Sequence, residues 1–380
     1  MIIRYPMKNK KVGLITFYKN NYGSMLQCYS TKHILESWGY TCDVIDEVPR
    51  QENKIKNSLK QKKQFITAFF KDPRFWFRWK KMHNKPFQLT EETLDEMNMF
   101  IRNEIQPLYY TENQLKCIAN EYDAFIVGSD QVWNANYDIA SIFFLDFVDN
   151  QKKIAFSISL GVDRTTRRFK KILCKGIRDF NEISVREESG ERIVKSITNT
   201  KVVRVGDPTI MLSKENWETF CGACNVKKCN YVLLHFLDCP SELAIKYARM
   251  ISSNKKVICI GYNYEDFENN HWDFISGGPH EYISYILGAS YVLTDSFHTT
   301  LFSINFGKDF FVFERQYLHS NPQSGRIKDL LERYELVDRF IYSITQIPSS
   351  DVHEKQDIVK QERRVTKEYL MRKLDELNER

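Results

Sequence analysis

What most constrains the fold of this chain is an alternation: short apolar runs, each ending in a polar turn that leads into a stretch of helical period. Val12–Phe17 is one such run. The polar loop Tyr18–Ser24 follows it. Met25–Trp38 comes next, with apolar Met25, Leu26, Tyr29, Ile34 and Trp38 at about helical spacing, and Gly39 stops the helix. Cys42–Ile45 is the next strand. Further strands are expected at Ala124–Val127, Lys153–Ile158, Glu182–Val185 and Val202–Val205. Alternation of this kind predicts a parallel sheet covered by helices.

A second alternating set begins near residue 230. Its strands are Tyr231–Phe236, Lys256–Ile260, Tyr291–Thr294 and Asp309–Phe313, with helices at Ser241–Ser252, Glu281–Gly288 and Thr299–Phe306. A chain of 380 residues is long enough for two or three cores. The reading is an α/β protein with two Rossmann-like parallel-sheet domains facing across a cleft, a GT-B-like architecture. Residues 1–215 form the first domain, with a helical, basic and aromatic insertion at about 50–120. Residues 216–345 form the second. Residues 346–380 hold an amphipathic helix that packs back on the body, with Ile358, Val365, Tyr369, Leu370, Leu374 and Leu377 near one stripe.

The net charge of +6 is locally concentrated. Eleven Lys and Arg stand between Lys54 and Lys85 against one acid, Asp72, and Phe75, Trp76, Phe77 and Trp79 lie among them. Such a block suits nucleic acid, anionic lipid or a plain solvated face. No nucleic-acid recognition motif accompanies it, so no nucleic-acid partner is expected. The first residues lack a signal-peptide pattern and no apolar run is long enough to span a bilayer, so the expected location is cytoplasmic. Nine scattered cysteines read as reduced thiols; Cys221, Cys224 and Cys229 resemble half of a zinc site without its second pair, and no metal is expected.

Polar residues at strand ends are the functional candidates. Thr294-Asp295-Ser296-Phe297-His298-Thr299-Thr300 places His298 where a strand turns into a helix, and an imidazole there can exchange protons near neutral pH. The bland alternative is a capping turn. Asn21-Tyr22-Gly23-Ser24 opens a helix, where free backbone N–H groups favour anions, or else forms a capped turn.

Five segments, in order, resemble the polysaccharide pyruvyl transferase family: Asn21–Ser24, Val127–Asn134, Ile183–Ser189, Gly206–Thr209 and Thr294–Phe306. The resemblance spans roughly residues 11–340. It implies a GT-B-like fold and transfer of the enolpyruvyl group of phosphoenolpyruvate to a sugar, typically as a pyruvate ketal on a glycan of the capsule or exopolysaccharide type. No cofactor is implied; phosphoenolpyruvate is the donor substrate, and the acceptor is a glycan or lipid-linked saccharide. The family's histidine matches His298, its arginine after the "ISV" strand matches Arg186, and its Asp-Pro turn matches Asp207-Pro208. His298 is then the acid/base, Arg186 a grip for carboxylate or phosphate unless it pairs with Glu187, Glu188 or Asp207, and Asp130 a base or acceptor contact unless it caps a helix. Asn21, Tyr22, Gly23, Ser24, Ser129, Gln131, Asp207, Ser296, Thr299 and Arg326 are the expected substrate contacts. One branch of the family carries an arginine two positions before the histidine. This chain has Ser296 there, so another cation, Arg326, Lys308 or Arg315, must stand in. An acceptor built on a lipid carrier makes the 54–85 block a candidate contact with anionic membrane.

Two other readings compete: a glycosyltransferase using a nucleotide sugar, since GT-B folds mostly do that, and a non-catalytic glycan-binding relative, since the arginine is missing.

Overall fold

Apolar runs without alternation belong in a sheet covered on both faces. The computed structural model, which describes residues 10–48, 88–136, 139–222, 230–263, 269–315 and 324–378, places them there. The first half contains β1 (Lys11–Ile15), α1 (Tyr22–Ser37), β2 (Thr41–Glu47), β3 (Gln88–Leu89), α2 (Glu91–Phe100), β4 (Leu108–Tyr110), α3 (Glu112–Ile118), β5 (Ala124–Val127), β6 (Lys153–Ile158), α4 (Arg167–Ile177), β7 (Glu182–Val185), α5 (Glu188–Lys195) and β8 (Lys201–Arg204). Seven of these strands form one parallel sheet in the order β4-β2-β1-β5-β6-β7-β8.

The second half contains α6 (Lys214–Cys221), β9 (Tyr231–His235), α7 (Glu242–Ser252), β10 (Lys256–Ile260), β11 (Tyr262–Asn263), β12 (Asp273–Ile275), α8 (Pro279–Gly288), β13 (Tyr291–Thr294), α9 (Phe297–Phe306), β14 (Phe310–Val312), α10 (Gly325–Arg333) and α11 (Gln356–Asn378). Its sheet is also parallel, in the order β12-β10-β9-β13-β14. The chain is thus two Rossmann-like α/β domains, the GT-B-like arrangement expected.

Strand order fixes where a ligand can sit. In the first sheet the chain runs from β1 towards β2 and β4, then returns to β5 and runs the other way. In the second it runs from β9 to β10 and β12, then restarts at β13. Open α/β sheets bind ligands outside the carboxyl ends of strands at such reversals. The loops concerned are 16–21 and 128–131 in the first domain, and 236–239 and 295–296 in the second.

A shared core joins the domains behind these loops. Tyr22, Met25 and Leu26 of α1 pack in one cluster with Tyr282 and Ile283 of α8, Phe302 of α9 and Tyr369 and Leu370 of α11. Tyr22 stacks on Tyr282 with ring centroids 4.3 Å apart and donates its hydroxyl to the Gly277 carbonyl. The antiparallel pair β3 and β11 adds a second tie between the halves. Helix α11 contacts both: Gln356 donates to the Ile304 carbonyl (2.9 Å), Thr366 Oγ1 accepts from the Gly206 N–H (2.8 Å), and Arg372 pairs with Glu182 (3.0 Å). The three-residue edge strand β4 falls where the sequence predicts only helical insertion; it is too short for any period to show. The basic block 54–85, with Cys224 and Cys229, lies outside the described residues.

Candidate active site

The strand-end loops converge on one cleft, of about 830 Å³. Asn21 caps α1, its side chain accepting from the Ser24 N–H (3.2 Å). Ser24 Oγ donates to Asp130 Oδ2 (2.5 Å). Asp130 sits in the left-handed region, φ 57°, a conformation Asp tolerates better than most residues. That turn brings its carboxylate from the end of β5 to the start of α1. Ser296 caps α9, accepting from the Thr299 N–H (3.4 Å), and sets His298 in the first turn of that helix.

His298 comes from the second domain but reaches first-domain groups. Its Nε2 lies 3.4 Å from Asp207 Oδ2 and 3.5 Å from Arg186 Nη1. Around Gly23 the backbone packs so close that a Cβ would stand 2.0 Å from His298 Nδ1. Arg186 is 2% exposed and held by three carboxylates: Nε to Glu187 (2.9 Å), Nη1 to Asp207 (2.5 Å) and Nη2 to Asp130 (3.4 Å). Its guanidinium also covers the Phe297 ring at 4.4 Å. Burial works against the charge on Arg186, but Glu187, Asp207 and Asp130 outweigh it and raise its pKa. Burial likewise opposes ionisation of Asp207; His298, Arg186 and the Thr209 N–H overcome it and hold this carboxyl below the usual range.

Of the residues expected from sequence, Asn21, Ser24, Asp130, Gln131, Ser296, His298 and Arg326 line the cleft. The others do not, each for a visible reason. Arg186 is enclosed by Asp130, Glu187 and Asp207 and does not line the cleft. Asp207 spends both oxygens on Arg186, His298 and Thr209. Thr299 is fully buried, its hydroxyl shared by His235 Nδ1 and the Tyr282 hydroxyl at 2.8 Å each. Ser129 points into the sheet and donates to the Ser157 carbonyl (2.8 Å). Tyr22 belongs to the interdomain core. Gly23 serves by having no side chain. Lys308, a candidate substitute cation, follows the far end of α9 from His298 and donates to the Ala289 carbonyl (3.2 Å).

Among the described residues, two cations besides Lys19 reach the cleft. Arg326 stands 5.7 Å from the Phe297 ring, and Gln131, with its amide oxygen turned inward, accepts from both Arg326 Nη atoms at 3.1 Å. Arg315 binds Asp295 through Nε (3.0 Å) and the Asp295 carbonyl through Nη2 (2.8 Å). The opposite wall carries Phe17, Tyr18, Lys19, Asp46 and Phe143. Tyr18 and Lys19 both donate to Asp46 Oδ2 at 2.6 Å. Lys19 and Asp46 are absent from the sequence-derived candidates, although Lys19 lies in the loop after β1 and Asp46 at the carboxyl end of β2, close to the signal that picks out His298. Among the described residues no three His, Cys, Asp or Glu side chains gather in a metal-binding arrangement.

A model of the polysaccharide pyruvyl transferase family matches residues 21–317. No curated protein matches the sequence. Among solved structures, UDP-GlcNAc 2-epimerase from Neisseria meningitidis bound to UDP-GlcNAc is similar at 12% identity and TM-score 0.47, over 98% of this chain and 94% of that one. The S. aureus MnaA–UDP structure is similar at 12% identity and TM-score 0.49, over 97% and 90%. UDP-N-acetylglucosamine 2-epimerase from Rickettsia bellii follows at 10% and 0.44, over 97% and 98%.

Proposed function

The chain belongs to the polysaccharide pyruvyl transferase family, and from that premise we propose that it transfers the pyruvyl group of phosphoenolpyruvate to two hydroxyls of one sugar in a saccharide acceptor, closing a ketal. The observation that carries this reading is the meeting of an imidazole (His298), a carboxylate (Asp130) and two guanidiniums (Arg315, Arg326) in one interdomain cleft.

The chemistry needs each of these. Protonation of the donor's methylene carbon makes a methyl group and leaves the adjacent carbon electron-poor. The first hydroxyl adds there and gives up its proton. Phosphate departs with the C–O bond electrons, and the second hydroxyl takes its place. Of the two hydroxyl protons, one balances the new methyl and the other leaves on phosphate. His298 supplies the proton to carbon. Asp130, which already accepts from the Ser24 hydroxyl, takes the proton of the attacking sugar hydroxyl. Arg326 and Arg315 stand in for the cation missing at Ser296 and hold the trianionic donor. Asn21, Ser24 and Gln131 contact the acceptor. Arg186 and Asp207 hold this set in place from behind.

The acceptor we favour is lipid-linked, with the enzyme at the inner face of the cell membrane. No helix among the described residues is long and apolar enough to cross a membrane. The 54–85 block supports peripheral contact by its sequence alone, combining cations with aromatics. The test is incubation with phosphoenolpyruvate and a lipid-linked galactoside. Acceptor-dependent phosphate release supports the proposal. Turnover of a nucleotide sugar alone would make this a glycosyltransferase, and neither reaction would make it a glycan-binding relative.

A further inference from the structure

The cleft wall that carries Phe17, Lys19, Asp46 and Phe143 differs in character from the reacting groups. Phe17 and Phe143 meet edge to face, ring centroids 5.0 Å apart at 70°, and both line the cleft only half-buried. Their backbones are held from behind. Gln27 Nε2, fully buried in α1, donates to the Phe17 carbonyl (2.7 Å), and the indole of the buried Trp133 donates to the Phe143 carbonyl (2.9 Å). On the same wall Lys19 pairs with Asp46 at 2.6 Å, its ammonium also standing over the rings of Tyr18 (4.8 Å) and Tyr109 (5.2 Å). Asp46 is fixed by three donors: the Glu47 N–H on Oδ1 (2.8 Å), and the Tyr18 hydroxyl and Lys19 on Oδ2 at 2.6 Å each. A carboxylate has about four lone-pair sites and an ammonium three donors. Among the described residues, Oδ1 can therefore accept one more proton donor and Lys19 keeps two N–H groups.

Such a wall suits a neutral polyol better than an anion. Lys19 and Asp46 cancel one another's charge, so the wall offers a trianion no net attraction, while the guanidiniums of Arg315 and Arg326 stand across the cleft. A pyranose has the matching shape: an apolar C–H face for an aromatic ring, and a rim of hydroxyls for a fixed carboxylate and ammonium. We propose that Phe17 and Phe143, with Lys19 and Asp46, form the acceptor subsite, the phenyl rings carrying the C–H face of a neutral pyranose and the ion pair reading its hydroxyls. Naming that sugar the acceptor rests on the pyruvyl-transfer reading; the binding of a saccharide does not. The subsite adjoins the reacting groups, because the Thr16 hydroxyl donates to the Ser129 carbonyl (3.2 Å) and ties the turn carrying Phe17 to the turn carrying Asp130.

Saturation-transfer NMR on the full-length protein, irradiating the aromatic protons, reads the contact without donor or turnover. The probes are the methyl glycosides of galactose, glucose, mannose and N-acetylglucosamine. At least one should receive saturation at its ring C–H protons. Phe17→Leu and Phe143→Leu keep the wall apolar but remove the rings, and each should weaken that glycoside about 3–10-fold. Lys19→Met combined with Asp46→Asn leaves the net charge of the wall unchanged. It should weaken the same glycoside about tenfold or more while the Kd for phosphoenolpyruvate stays within about twofold. Lys19 is exposed, so Lys19→Met alone, with a loss of several-fold, serves if the double variant does not fold. Saturation of none of the four glycosides, a glycoside affinity indifferent to these substitutions, or a phosphoenolpyruvate affinity that falls in step with it overturns the proposal. Glycoside binding that responds as expected, without phosphate release from phosphoenolpyruvate and the lipid-linked galactoside, sinks the pyruvyl-transfer reading and leaves the saccharide subsite standing. Phosphate release with glycoside binding that ignores the substitutions does the reverse.

Discussion

Gly23→Ala is the smallest change that probes how the domains meet. The added Cβ would stand 2.0 Å from His298 Nδ1, 2.3 Å from its Cγ and 2.8 Å from its Cβ. Ordinary contact between heavy atoms begins near 3.5 Å, so ring and helix must part by about 1.5 Å at the closest pair. Overpacking of this kind costs about 1–3 kcal/mol. The better helix propensity of Ala returns at most about 1 kcal/mol. A displacement near 1 Å at the reacting group costs about 10²-fold in rate. Urea denaturation of four proteins (wild type, Gly23→Ala, His298→Ala and the double variant) isolates the contact. With the ring gone the 2.0 and 2.3 Å contacts disappear and the 2.8 Å contact to Cβ stays, so Gly23→Ala should cost less in the His298→Ala background than in the wild type. Equal costs in both backgrounds, or an undiminished rate for Gly23→Ala, would refute the packing of His298 against α1.

Arg186→Met leaves Glu187, Asp207 and Asp130 facing one another without their cation, and should cost about 3–5 kcal/mol of stability; a variant of near wild-type stability would return Arg186 to the list of ligand contacts. Burial, and then the charge of Arg315, push His235 down to about 3. It is neutral in the folded chain while the unfolded chain takes up a proton below about pH 6.5, so its contribution is present above that pH and is lost as pH falls towards 3, by up to about 1.4 kcal/mol per unit. Asp238, raised to about 6 by burial and then Asp295, works in the opposite direction below pH 6, so the readout is the difference between wild type and His235→Gln in urea denaturation. That gap should narrow by about 1–2 kcal/mol between pH 6.5 and 5, and a constant gap would mean that His235 protonates in the native state. Liposome co-sedimentation should rise with anionic lipid, fall with salt and weaken when Lys60, Lys62 and Lys63 become Glu; sedimentation indifferent to lipid charge would end the membrane role.

The buried parallel strands were legible because they are short, mostly apolar and β-branched runs: Ala124–Val127, Lys153–Ile158, Glu182–Val185, Lys256–Ile260 and Tyr291–Thr294 begin and end where the pattern does. Gln88–Leu89, Leu108–Tyr110 and Asp273–Ile275 are two or three residues long and leave no period to read. The strand-end rule also led to the cleft, since His298, Asp130 and Ser24 all follow strands. It could not tell which side chain of each turn faces the ligand. Ser129 and Gln131 flank Asp130, yet one points into the sheet and the other lines the cleft. Arg186 and Arg326 look alike in sequence. Only the fold brings three carboxylates onto the first, from positions 130, 187 and 207. Likewise nothing local to Thr299 predicts that His235 and Tyr282, distant in sequence, claim its hydroxyl.

A crystal structure of the full chain soaked with phosphoenolpyruvate tests the central claim most directly. The donor should lie in the interdomain cleft, its anionic groups on Arg326 and Arg315 and its methylene carbon within about 3–3.5 Å of the His298 ring. Donor density outside this cleft, or a cleft that stays empty with phosphoenolpyruvate and fills with a nucleotide sugar, would contradict it.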